Sequence, residues 1–199
     1  MKSKNKKGQI LGMPFQMLFS ILLIAVFIVA AVIVVRNMLE RASQAKVALF
    51  ANELQSKITE TWYATEAQKS FKFELPSKVE WICFGNLTAS KAYLTGYDQS
   101  KKDEAEAASY ANKIFVSLKE SYAGTTSGQT TLTNLLMLWP PEYVKGLGLA
   151  PVKKIKCENA ECLDLSGLPN PYCIKNTKTG FSITLVKELR NRNVKIVKP

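Results

Sequence analysis

From Gly8 to Val35 the chain reads GQILGMPFQMLFSILLIAVFIVAAVIVV, 28 residues without one ionisable side chain, directly after the lysine-rich opening MKSKNKK. Few features restrict a fold more. Lipid offers no partner to a backbone N–H or carbonyl, so a lone segment that enters a bilayer must satisfy both within itself, as an α-helix. Pro14 suits a first helical position, because its φ is already helical and its missing N–H is one the first turn leaves unpaired. Pro14 to Val35 is then a helix of 22 residues. At 1.5 Å per residue it is roughly 33 Å long, enough to cross a hydrocarbon core of about 30 Å. A cleaved secretory signal fits less well, since its apolar region runs about 7 to 15 residues to a small-residue cleavage site. Here Ala30 and Ala31 are followed by Val32, Ile33, Val34 and Val35. A buried core helix fits less well again, with only Gln16 and Ser20 as polar interruptions.

The flanks set an orientation. Cytoplasmic flanks carry the excess of Lys and Arg. The tail holds Lys2, Lys4, Lys6 and Lys7 and no acid, whereas Arg36, Glu40, Arg41 and Lys46 follow the span. The tail is therefore expected inside and the remainder outside. Cys83, Cys157, Cys162 and Cys173 form an even set, as disulfides in an oxidising compartment require. Asn86-Leu87-Thr88 is a glycosylation sequon with Asn86 as acceptor. Of 27 Lys and Arg, the four in the tail leave 23 against 16 acids from Arg36 onward, a net of +7. These lysines are scattered, not arrayed in a stripe with interleaved aromatics, so no nucleic-acid partner is expected.

Lys6-Lys7-Gly8-Gln9 directly ahead of the apolar run resembles a class III signal. This is the type processed by prepilin peptidases in type IV pilins, in particular archaeal type IV pilin-like proteins. The resemblance covers mainly residues 1–60. It implies cleavage between Gly8 and Gln9 by a prepilin-type peptidase, and a helix that is first a membrane anchor and later a packing surface for other pilin-like subunits. The sequence departs from the family at Met13, where many pilins carry a glutamate five residues into the mature chain, and at the Pro14 that follows. A permanently tethered binding module is the alternative reading.

Beyond Val35 the stretch RNMLERASQAKVALFANELQSKITETWY contains no Gly or Pro and is rich in good helix formers. Val47, Phe50, Leu54 and Ile58 recur at three- and four-residue steps, the mark of an amphipathic helix. From Ser70 the period becomes two, with Phe71, Phe73 and Leu75 alternating with polar residues. VEWICF follows Pro76, and the two segments are expected as adjacent strands. Lys101 to Tyr122 is an expected helix, with Ser100 as N-cap and Ala111, Ile114, Leu118 and Tyr122 on one face. AGTTSGQTT, from Ala123, is a polar loop that lacks the lysine and spacing of a phosphate-binding loop. TLTNLLMLW is an expected buried strand, PPEY a rigid turn with a partner-binding edge as the alternative, and GFSITLV and NVKIVK terminal strands closing an antiparallel sheet. Four cysteines allow three pairings. Cys157 with Cys162, close in sequence, and Cys83 with Cys173, tying the early strands to the last, are the favoured pairs; four converging thiolates on zinc are the alternative.

The chain has no histidine. That removes the commonest general base, the usual metal ligand and every Ser-His or Cys-His pair. Asp103, Glu104 and Glu106 form the densest acidic cluster, but at a helix start they match the dipole of a first turn. No enzyme activity, cofactor or metal site is expected. The expected architecture is α+β: a basic tail and leader (1–13), a transmembrane helix (14–35), an amphipathic helical stalk (36–61) and an extracytoplasmic antiparallel-sheet domain with one further helix (62–199). The bilayer is its first partner.

Overall fold

The computed structural model describes residues 12–87, 97–123, 133–158 and 160–197. Gly8, Gln9, Thr88 and most of the AGTTSGQTT loop lie outside them. The class is α+β. Helix α1 runs unbroken over Gly12–Tyr63, and contacts divide the chain into two units, Met1–Ala42 and Ser43–Pro199. The boundary falls inside the expected stalk, because Val47, Phe50, Leu54 and Ile58 are core residues of the second unit, all at most 3% exposed.

That second unit contains two four-stranded sheets. In the first, β1 (Ala67–Phe73) pairs with β7 (Phe181–Lys187), β7 with β8 (Val194–Val197), and β8 with β5 (Leu163–Asp164). All of these pairs are antiparallel except β5–β8. The period-two pattern sorts its faces. Phe71 opposite Ile183 and Phe73 opposite Phe181 point to one side, whereas Ser70 opposite Thr184 and Lys72 opposite Ser182 point to the other. Phe50 of α1 meets Phe73 and Phe181 edge-on, with centroids 5.2 and 5.5 Å apart. The turn into β7 depends on Gly180, whose φ is +87° and where a Cβ would lie 2.2 Å from the Phe73 carbonyl oxygen.

The second sheet has the order β4 (Val152–Lys154), β3 (Leu135–Trp139), β2 (Trp81–Gly85), β6 (Tyr172–Lys175), antiparallel throughout. Every residue of β2 is buried, because both faces of this sheet are covered. Ile82, Phe84, Leu136 and Leu138 join the α1 stripe in the larger core. Trp81, Cys83, Met137 and Cys173 join Ala107, Ala111, Ile114 and Phe115 of α2 (Lys102–Ala123) in a smaller one. Burial of each large apolar side chain in these layers contributes about 1.5 to 3 kcal/mol.

Three expectations change. The strands expected over 70–75 and 79–84 do not pair: β1 and β2 lie in different sheets. Between them the Val79 N–H closes a turn on the Pro76 carbonyl at 2.9 Å, held by Asn176, whose side-chain amide donates to the Val79 carbonyl at 2.8 Å. The single antiparallel sheet becomes two, with one parallel pair. The rigid turn at PPEY is a short helix, α3 (Pro141–Gly146), with proline at its start and Val144 buried, so two helices follow α1 among the described residues.

Candidate functional site

The first unit presents one kind of chemistry. From Met17 to Val35 the large apolar side chains of α1 are exposed, from 40% at Leu23 to 70% at Met17 and Phe27. They fill consecutive positions, such as Ile21 to Ile24 and Val32 to Val35, so every direction around the axis is apolar. Ser20 turns its hydroxyl back to donate to the Gln16 carbonyl at 2.9 Å, leaving no hydroxyl proton unpaired in apolar surroundings. By length and composition this helix can cross a membrane.

In the second unit the cysteines are joined in two pairs. Cys83 and Cys173 sit opposite each other on β2 and β6, with sulfurs 2.01 Å apart and a sequence separation of 90. A loop of that length is worth about 4 to 5 kcal/mol of unfolded-state entropy. Cys157 and Cys162, five residues apart, are joined at 2.17 Å. No cysteine is free, so the four-thiolate zinc alternative does not form. The Cys157–Cys162 loop is fastened to α1 by Gln55, whose side-chain nitrogen donates to the Lys156 carbonyl at 2.7 Å, and by a hydrogen bond from the Tyr63 hydroxyl to Glu158.

Asn86 is half-buried beyond the end of β2. Its side-chain oxygen accepts the Asn134 backbone N–H at 2.8 Å. Its backbone N–H donates to the Asn170 side-chain oxygen, and its carbonyl accepts from the Asn170 side-chain nitrogen, both at 2.8 Å. Asn134 is buried at φ +54°, and its amide, oriented by its neighbours, pairs at 3.2 Å with the backbone of Leu163 and Cys162. Asparagine tolerates the left-handed region better than most residues. Three asparagines thus stand in for a missing stretch of ladder and link one sheet to the other. Nothing in the sequence singles out Asn134 or Asn170 except their positions just ahead of a strand.

Two of the three acids in the cluster form ion pairs. Glu106 meets Lys175 at 2.8 Å and Glu104 meets Lys101 at 3.9 Å. Near them lies an aromatic cluster of the buried Trp81 with half-buried Tyr110 and Trp139, and with Lys175 over the Trp81 ring at 5.5 Å. The neighbouring Glu80 carboxylate raises the Tyr110 phenol above its ordinary range. Among the described residues no group of three His, Cys, Asp or Glu could hold a metal ion.

Compared with protein families, curated proteins and solved structures, the chain matches none of them.

Proposed function

We propose that this protein is a single-pass, membrane-anchored subunit of a cell-surface filament or envelope assembly, of the type IV pilin-like kind, with a structural or adhesive role. The observation that carries the reading is the uncharged run Gly8 to Val35 placed directly after Lys6-Lys7. It continues into a helix whose first half is apolar in every direction, followed by a disulfide-bonded α+β unit. In this reading the lysine tail is cytoplasmic, the cysteine-bearing unit lies outside, and a prepilin-type peptidase cuts between Gly8 and Gln9. The freed helix then exchanges lipid for the helices of other pilin-like subunits. The absence of histidine and the pairing of Glu104 and Glu106 with lysines favour a structural over a catalytic role.

Met13 favours one rival. Without a carboxylate at that place the helix lacks a charge to register against a neighbouring subunit, and a permanently tethered binding module accounts for its absence. N-terminal sequencing and intact mass of the protein from native membranes separate the two. A start at Gln9, with the protein recovered in sheared filaments, supports the pilin-like reading. A start at Met1, with all protein retained in membranes, overturns it in favour of the tethered module.

A further inference from the structure

Beneath α2 the second sheet is closed at one side and open at the other. At β6 the Cys173 N–H, which faces away from β2, donates to the Tyr97 hydroxyl at 3.2 Å, and that hydroxyl donates to the Pro171 carbonyl at 3.2 Å. One tyrosine therefore closes this edge. Toward β3 the cover is incomplete. There a hollow of about 250 Å³ is walled by Ile114 of α2, Met137 and Trp139 of β3, Pro141 of α3 and Val152 of β4. An apolar cavity of about 150 Å³ already takes a benzene ring, so this one has room for a phenyl ring and the carbon that carries it. It is smaller than most ligand pockets, which begin at about 300 Å³, and so selects a small guest.

The polar side chains bordering the hollow are Ser117, Glu142 and Lys145. Glu142 and Lys145 are exposed and three residues apart on α3, which places their Cβ atoms about 5 to 6 Å apart on one side of the helix. No ion pair joins them to each other or to another described residue. The apolar walls are thus bordered by one carboxylate and one ammonium that do not neutralise each other by contact. A free α-amino acid carries the complementary pair on a single carbon, with its ammonium for Glu142, its carboxylate for Lys145 and its side chain for the hollow. A peptide terminus brings only one of those charges, and a plain apolar guest brings neither.

We propose that this hollow binds a free α-amino acid with a large apolar side chain, of the size of phenylalanine. Burial of the side chain supplies most of the affinity, and the two exposed charges orient the guest and distinguish it from molecules bearing one charge. The inference concerns the second unit alone and stands whether the chain is processed or permanently tethered.

The test uses the full chain in lipid nanodiscs and calorimetric titration with L-phenylalanine. Saturable binding is expected, and none with L-serine, which has the same two charges and no apolar side chain. Phenylethylamine, which lacks the carboxylate, and phenylpropanoate, which lacks the ammonium, should each bind about fivefold more weakly, the most an exposed charge pair contributes. Lys145→Met should weaken phenylalanine by the same factor and bring it level with phenylethylamine; Glu142→Gln should bring it level with phenylpropanoate. Both side chains are exposed, so the melting of the second unit should not move in either variant. The absence of saturable binding overturns the proposal, as does unchanged affinity in both variants. Equal binding of a single-charge analogue by the unaltered protein overturns it too, because a chain terminus or a plain apolar guest then fits as well.

Discussion

The first and second halves of α1 are continuous in backbone and opposite in surface. From Met17 to Val35 apolar side chains point in all directions and none of the large ones is buried. From Ser43 to Tyr63 the buried apolar residues form the stripe Val47, Phe50, Leu54 and Ile58, at most 3% exposed, while Leu49 faces outward at 66%. Lys57 and Glu60 of this half lie partly exposed and paired at 3.5 Å, and Glu60 also meets Lys69 at 2.6 Å. Exposed pairs of this kind contribute only about 0 to 1 kcal/mol, so the stripe holds this half in place. A helix thus records its surroundings in the angular spread of its apolar residues. A stripe needs a core on one side, and a full circle needs an apolar solvent on every side.

The largest effect expected from perturbing this contrast comes from equal truncations in the two halves. Leu54→Ala leaves a hole in the core and should lower the unfolding free energy of the second unit by about 2 to 5 kcal/mol. Leu22→Ala should change it by less than about 0.5 kcal/mol. Denaturant titration of both variants in the same detergent, read by near-UV circular dichroism, measures the difference, and equal losses would break the comparison. Next in size, Ile28→Arg places a charge in the middle of the apolar half, at a cost to membrane insertion of about 2.5 to 3.5 kcal/mol. Carbonate extraction should show a larger soluble fraction while the melting of the second unit stays unchanged.

The smallest effect is a pH dependence. Burial, with smaller contributions from Tyr97 and Glu104, pushes the Tyr172 phenol up from 10.0 to about 12. Folding therefore favours its protonated form. The resulting stability is complete below pH 10 and is lost as pH rises toward 12. Tyr172→Phe should flatten that part of the alkaline stability profile, whereas substitutions between Gly8 and Val35, where nothing titrates, should leave its shape alone.

Both halves of α1 were legible in the sequence, because the uncharged run and the three- and four-residue spacing are local signals. So were the strand character of Phe71 to Phe73 and the α2 face carrying Ala111 and Ile114. Which sheet a strand joins was not legible. β1 is claimed by β7 and β2 by β6, partners roughly a hundred residues away, and no local pattern encodes that choice. The short α3 escaped because proline starts a helix as readily as it makes a turn, and six residues are too few to show a period. Tyr97, which closes one sheet edge, is unremarked in sequence, since its role depends on a backbone N–H that only the register of β6 leaves free.

The Cys83–Cys173 link has a topological consequence. It turns all the chain between those two residues into a covalent ring, with the membrane-anchored helix leaving from one side of the bond and the closing strands β7 and β8 from the other. A protease that cuts one peptide bond anywhere within the ring opens it without releasing a fragment. A chain nicked within the ring therefore stays in one piece, with α1 still attached, until the bond itself is reduced.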